Sequence, residues 1–290
     1  MLAVIATATA GDGLARRIQS ICDKVDATIS VAVIIDSRDT TVVGGTARCP
    51  MMSVVKLHQA IALCRHLDRQ GKSLDDTLSV PPSAMVQGTY SPMRDSHPGG
   101  IASITVGELM LYSLQQSDNI ACDILFDLIG GPQAVDGEMR ALDLDGFAIA
   151  RTEADMHRDT ATVHDNWTHP LTAAALLDML VTRPLCSAAN QQRIIDAMTG
   201  CLTGQDRIAR PLLGTSATVG HKTGSSDRDA SGRATATNDA AFVILPDGRH
   251  YVIAIFIMDS AEDDATNARL MADISAAVYD HVTDGHDRQS

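Results

Sequence analysis

The stretch Thr235-Ala-Thr-Asn-Asp-Ala-Ala-Phe-Val-Ile-Leu245, Pro246-Asp-Gly248, His250-Tyr-Val-Ile-Ala-Ile-Phe-Ile-Met258 decides the fold. Two runs rich in β-branched and aromatic residues, joined by Pro-Asp-Gly, read as consecutive antiparallel strands. Thr218–Ser225 just upstream reads as a third. At the other end of the chain, Thr28–Ile35, the turn chemistry of Asp36-Ser-Arg-Asp39 and a short run at Thr41–Val43 read as a hairpin. Strands therefore come from both ends of the sequence.

The middle has a different period. From about Ser53, apolar residues Leu57, Ala60, Ile61, Cys64 and Leu67 fall on one helical face, and Gly71 stops the segment. Residues 80–100 read as loop, broken by Pro81-Pro82, Ser91-Pro92 and Pro98-Gly99-Gly100. Thr105, with Glu108 three residues on, makes a capping box for a helix through Leu114. Ile120–Ile129 is an apolar helix closed by Gly130-Gly131-Pro132, residues 150–169 are polar and irregular, and helices are expected over about 170–182, 189–201 and 262–282. The fold class is α/β (α+β): an antiparallel sheet from both termini with an inserted all-helical lobe. The expected boundaries are 11–48 and 206–290 for the α/β lobe and 49–205 for the helical lobe, with the active site between them.

The chain has 290 residues, 45% of them hydrophobic, which is ample for a core without disulfides or metals. A net charge of −13 argues against nucleic acid and anionic membrane surfaces as partners. No run of 18 apolar residues is present, so no membrane span is expected. Residues 1–10 are apolar and end in Ala8-Thr9-Ala10, which fits either a signal-peptide remnant without its basic region or a plain apolar terminus. The six cysteines form no C-x-x-C pair, and Cys64 and Cys122 at apolar helical positions are expected to be buried free thiols. His157, His164 and His169 share one loop, but no H-E-x-x-H or H-x-H-x-D spacing accompanies them, so neither metal nor cofactor is expected. Only four lysines (Lys24, Lys56, Lys72, Lys222) and four glutamates (Glu108, Glu138, Glu153, Glu262) occur, so motifs that use them stand out.

Three motifs carry chemistry. Ser53-Val-Val-Lys56 opens the first long helix and sets an ammonium on the same face as a hydroxyl. A serine needs a neighbouring base to become a nucleophile, and a helix N-terminus favours the negative charge that develops. Ser117-Asp118-Asn119 lies between two helices, where a plain N-cap is the simplest reading. Lys222-Thr223-Gly224 ends a strand, offering a cation and a hydroxyl at an edge where glycine permits close approach. Each alone is ordinary.

In this order the three resemble the signature of class A β-lactamases and penicillin-binding proteins. The resemblance covers nearly the whole chain from about residue 25. It includes Met51-Met-Ser-Val-Val-Lys-Leu-His-Gln-Ala60, Thr89-Tyr-Ser-Pro-Met93, Gln116-Ser-Asp-Asn119, Asn166-Trp-Thr168, Thr203-Gly-Gln-Asp-Arg-Ile208, His221-Lys-Thr-Gly224 and Thr237-Asn-Asp239. It is nearest the cephalosporinase and extended-spectrum branch. The implied fold is that read above, with terminal helices against the sheet. Ser53 would attack the lactam carbonyl, with Lys56 as proton acceptor, alone or sharing that task with Glu153 through a water. Ser53 and Ser225 N–H groups would form the oxyanion hole, and Ser117 would pass a proton to the leaving nitrogen. Asn119 would orient the substrate amide and Lys56; Lys222, Thr223 and Gly224 would bind the substrate carboxylate side, with Arg207 as second cation and Tyr90 as a wall. Glu153, within Arg151-Thr-Glu153-Ala-Asp-Met-His157, would activate the water that distinguishes a hydrolase.

Some positions depart from the family pattern. His157 stands where most class A enzymes have a water-holding Asn. Asn166 stands where an Asp often pairs with the arginine at Arg151, which points to a differently folded or looser loop; Asp165 is adjacent. Val55 replaces an aromatic residue, and no cysteine directly precedes Ser53, so carbapenem hydrolysis is not expected. A secreted or periplasmic monomer acting on small-molecule β-lactams, chiefly cephalosporins, is the implied protein. A D,D-peptidase or a covalent β-lactam receptor on the same fold are the competing readings, and both would require an inert Glu153.

Overall fold

A computed structural model describes residues 11–45 and 47–287. The N-terminal residues considered as a signal remnant lie outside them. In chain order the elements are α1 (Gly11–Cys22), β1 (Thr28–Ile35), β2 (Asp39–Val43), β3 (Cys49–Pro50), α2 (Val55–Gln70), β4 (Thr77–Val80), α3 (Pro92–Ser96), β5 (Ile101–Thr105), α4 (Val106–Gln115) and α5 (Asn119–Ile129). They continue with α6 (Pro132–Arg140), β6 (Phe147–Ala148), α7 (Glu153–Arg158), β7 (Trp167–Thr168), α8 (Pro170–Thr182), α9 (Ala188–Thr199), β8 (Thr218–Ser225), β9 (Ala234–Ile244), β10 (His250–Ser260) and α10 (Asp264–Asp287).

Strands β2-β1-β10-β9-β8 form one antiparallel sheet in that order, so the C-terminal hairpin sits at its centre and β8 at an edge. Its central strands β1 and β10 are apolar at most positions because both faces are covered. Ile253, Ile255 and Ile257 of β10 pack with Val31 and Val33 against Leu14 and Ile18 of α1 and Leu270, Ile274 and Val278 of α10. Val252, Ala254 and Phe256 point the other way, with Ala32, Ala240 and Phe242, into the core shared with the helices. A one-residue slip would exchange the two sets, so two packed faces hold the register.

Helix α2 runs through the centre of the helical lobe. The expected apolar face is buried, but so is every residue from Val55 to Cys64, because α4, α5, α6 and α9 pack around it. Among them is His58, whose burial pulls its imidazole down to about 4. The capping box at Thr105 and Glu108 forms as read.

Several sequence expectations need correction. The helical lobe is not all-helical: β4 pairs with β5, and β7 lies between β3 and β6. These pairings join segments distant in sequence and only two to five residues long, too short for a period to show. Residues 80–100 contain α3, started by Ser91, which accepts from the Arg94 N–H, with Pro92 in its first turn. The stretch 150–169 is not irregular throughout, since a Thr152–Asp155 capping box starts α7. Helices α1 and α6 were not picked out by the periodic reading, although the resemblance implied terminal helices.

Candidate active site

The site lies where β8, the start of α2, the α4–α5 turn and α7 meet. Met52–Val54 form a 3-10 turn leading into α2, which puts Lys56 one turn after Ser53. Lys56 Nζ is 3.0 Å from Ser53 Oγ, and it also donates to the Ser117 carbonyl at 2.7 Å and to Asn119 Oδ1 at 2.6 Å. Glu153 Oε1 completes this group, 3.0 Å from Lys56 Nζ and 3.4 Å from Ser53 Oγ. Met52 (φ 47°) and Ser117 (φ 59°) are both left-handed although neither is glycine. Such conformations persist where surrounding contacts over-determine them, and both flank reacting groups here.

The second lysine faces the first across Ser117. Lys222 Nζ donates to Ser117 Oγ at 2.9 Å and to the Thr223 carbonyl at 2.9 Å. It is fully buried, and that burial, with the Lys56 charge added, lowers its ammonium to about 7. Gly224 lets β8 run against the Ser53 turn: a Cβ there would lie 2.7 Å from the Met51 carbonyl and 3.2 Å from the Ser53 nitrogen. Ser226 N–H donates to the Ala236 carbonyl at 2.9 Å, so the pair Ser225–Thr237 beside it is a non-hydrogen-bonded one. The Ser225 N–H therefore points away from β9, on the open edge of the sheet that faces Ser53.

Remaining expected residues gather at the rim. Tyr90, more than half exposed, and His157 line a cleft of about 440 Å³ together with Ser53, Asn119, Glu153 and Ser225. His157 lies one turn beyond Glu153 on α7, its Nε2 3.4 Å from where a Cβ on Gly88 would be. His164 shares the cleft, whereas His169 is elsewhere, with its Nδ1 3.0 Å from the Ala47 carbonyl oxygen. Arg207 reaches the site edge, donating to Ser225 Oγ at 2.8 Å and to the Asn238 carbonyl at 2.9 Å.

The Glu153 loop is tied at its neck, so the expectation of a looser loop is corrected. Arg151 pairs with Asp165 at 2.8 Å, one residue from the position expected. Asn166 is buried and takes the backbone role: its Oδ1 accepts from Ala150 N–H at 2.8 Å and Arg151 N–H at 2.9 Å, and its Nδ2 donates to the Arg151 carbonyl at 2.9 Å.

Other supporting residues were missed in the sequence. Asp123 on α5 accepts from the N–H groups of Glu153 at 2.8 Å and Ala154 at 2.9 Å, fixing the start of α7. Burial, then the Glu153 charge, raises its carboxyl to about 7. Asp118 does cap α5, as the simplest reading had it, and its other oxygen accepts from Ser91 Oγ and Met93 N–H, both at 2.7 Å. Thr89 accepts from Asn119 Nδ2 at 2.9 Å. These contacts join short polar residues of separate segments; Asp118 had a local signal, and Thr89 stood in a resembling stretch without a role.

The chain matches the model of the β-lactamase enzyme family over residues 13–282. A β-lactamase of Bacteroides uniformis is 40% identical over 280 residues, covering 96% of this chain and 94% of its relative. The extended-spectrum β-lactamase PER-1 of Pseudomonas aeruginosa is 34% identical, with 92% and 86% covered. Among solved structures, a class A β-lactamase from Bacteroides cellulosilyticus superposes with a TM-score of 0.91 at 35% identity, covering 96% of this chain and 100% of that one.

Proposed function

The chain belongs to the β-lactamase enzyme family and is a class A β-lactamase, and from that premise we propose that Ser53 forms the acyl-enzyme and Glu153 drives its hydrolysis. The observation that carries this reading is the contact of one carboxylate oxygen with both Ser53 Oγ and Lys56 Nζ.

In acylation, Ser53 Oγ attacks the lactam carbonyl carbon while its proton passes to Lys56, which must first have given up a proton of its own to Glu153, or to Glu153 through a water. The N–H groups of Ser53 and Ser225 receive the oxyanion, where donors aimed in advance are worth several kcal/mol. The C–N bond then breaks, and the lactam nitrogen takes the Ser117 hydroxyl proton, which Lys222, in contact with that hydroxyl, replaces. In deacylation, Glu153 removes a proton from water as that water attacks the ester carbonyl, and Ser53 leaves with a proton returned to it. Lys222, Thr223 and Gly224 hold the substrate carboxylate side, Arg207 adds a second cation next to Ser225, Asn119 orients the substrate amide, Tyr90 walls the cleft, and His157 borders the hydrolytic water.

Cephalosporins are the proposed preferred substrates. Support comes from the motifs resembling the cephalosporinase and extended-spectrum branch and from the similarity to a relative named extended-spectrum. No helix among the described residues is long and apolar enough to cross a membrane, and we take the enzyme to be an exported monomer, periplasmic or secreted, that binds no nucleic acid. Its active site is taken to lie between two lobes, 11–48 with 206–290 and 49–205.

Intact-mass measurement after mixing with a chromogenic cephalosporin tests the assignment. Wild type should show a transient adduct, Glu153→Ala a trapped one, and Ser53→Ala none. A long-lived wild-type adduct would favour a receptor or peptidase, and labelling of Ser53→Ala would overturn the nucleophile.

A further inference from the structure

Side chains of β8 alternate across the sheet. Lys222 points to Ser117, while His221, Thr223 and Ser225 point to the opposite face, where residues 201–208 lie over them. Three contacts match these alternate residues in turn. Gln205 Nε2 lies 3.3 Å from His221 Nε2, Thr203 Oγ1 lies 2.6 Å from Thr223 Oγ1, and Arg207 donates to Ser225 Oγ at 2.8 Å. Gly204 permits the fit, because a Cβ there would overlap the Thr223 methyl group.

The layer is anchored by a buried ion pair. His221 Nδ1 lies 3.0 and 3.2 Å from the two oxygens of Asp239, and the Ile208 N–H donates to Asp239 Oδ2 at 3.2 Å. His221 is 2% exposed and Asp239 0%. Burial opposes the imidazolium, but the Asp239 charge and hydrogen bond outweigh it and lift His221 to about 10. Gln205 Nε2 donates to the Cys201 carbonyl at 2.6 Å, and Cys201 Sγ lies 3.5 Å from both the Thr203 carbonyl and Thr203 Oγ1.

Proton counting then sets a direction. A carboxylate only accepts, so Thr223 must donate its one hydroxyl proton to it. Its 2.6 Å bond with Thr203 must consequently be supplied by the Thr203 proton. Thr203 has then none left for sulfur, so in the 3.5 Å contact between Cys201 Sγ and Thr203 Oγ1 the thiol is the donor. We propose that Cys201 and Thr203, anchored on the His221–Asp239 pair, are positioning residues that aim the Thr223 hydroxyl proton at the substrate carboxylate.

This inference rests on the reading of Thr223 as a carboxylate ligand, and the test separates the two. kcat/KM is measured for a cephalosporin and for its carboxylate methyl ester. Thr203→Val should lower kcat/KM for the acid about tenfold, carried by KM, and leave the ester within about twofold. Cys201→Ala should act the same way by about threefold, and Cys201→Ser, which keeps a donor, should restore the acid. Thermal melting confirms that each variant is folded. Equal losses on acid and ester, or no loss on the acid, would overturn the proposal. Thr223→Val in the same series is the control: an unchanged acid-to-ester ratio there would instead sink the carboxylate reading itself.

Discussion

Glu153 Oε1 lies 3.4 Å from Ser53 Oγ although a hundred residues separate them, and the same oxygen touches Lys56 Nζ at 3.0 Å. In the proposed mechanism one carboxylate serves the group that forms the ester and also addresses the water that breaks it. Glu153→Gln keeps the shape and removes the base. Turnover of a chromogenic cephalosporin should fall by about 10²–10⁴, while the initial burst stays near one product per enzyme. Stopped-flow traces measure both; loss of the burst together with turnover would place the main role of Glu153 in acylation.

Lys222 should give the enzyme a pH limb. Burial, then the Lys56 charge, lowers its ammonium to about 7 in the free enzyme. Below that pH the cation is present to meet a carboxylate; above it the free enzyme loses it. For a carboxylate-bearing β-lactam, kcat/KM should therefore fall on the alkaline side with a midpoint near 7. kcat, which reports the substrate-bound state where the carboxylate favours the ammonium, should hold to higher pH. The stability effect has the opposite sign: between about 7 and 10.5 the unfolded chain keeps a proton that the native one has shed, so this group's contribution to stability rises with pH. Lys222→Arg stays charged throughout. An unaltered alkaline limb in that variant would assign the limb to another group.

How much of this was legible in the sequence divides by range. The sheet could be read because its strands are long and closed by turn chemistry, and α2 because Gly71 stops it. Lys56, Lys222 and Glu153, the proposed site residues, stood out because lysine and glutamate are scarce. Asp123 left no trace, and Thr89 and Thr203 stood in resembling stretches without a role, since each acts on a residue 20 to 31 positions away through a single short polar group. The periodic reading took α2 as one-sided because Lys56, His58 and Gln59 look solvated in sequence, yet all three are fully buried. Burial is offset for Lys56 by its bonds to Ser53, Ser117, Asn119 and Glu153 and for Gln59 by donating to the Cys122 carbonyl at 2.8 Å, while His58, with Nδ1 3.4 Å from the Val54 carbonyl oxygen, has its basicity lowered by the burial itself.

The six thiols should differ in reactivity. Five are buried, and Cys186 is the partly exposed one. A hydrogen bond from Cys64 lowers the Cys186 thiol and correspondingly raises that of Cys64. The contact is bracketed by Arg65 donating to the Leu185 carbonyl at 2.8 Å and the Ser187 N–H donating to Asp68 at 2.6 Å. Iodoacetamide on the native protein should thus place its first adduct on Cys186, with Cys186→Ser losing the fast phase. Peptide mapping reads the site. First labelling at Cys201 or Cys64 would refute this ordering.

Two contacts close the neck of the Glu153 loop, and they should not weigh equally. Arg151 and Asp165 are 43% and 42% exposed, so water screens their pair and Asp165→Ala should cost about 0–1 kcal/mol. Asn166 is buried and satisfies the backbone groups of Ala150 and Arg151. Asn166→Ala leaves those groups without partners, at about 1–3 kcal/mol for each one that water cannot reach. Because the same turn leads directly into Glu153, the loss should also slow deacylation more than acylation. Urea denaturation gives the stability order, and the ratio of burst to steady-state rate gives the kinetic one. If Asp165→Ala proves the more damaging on both scales, the exposed ion pair rather than the buried amide holds the loop.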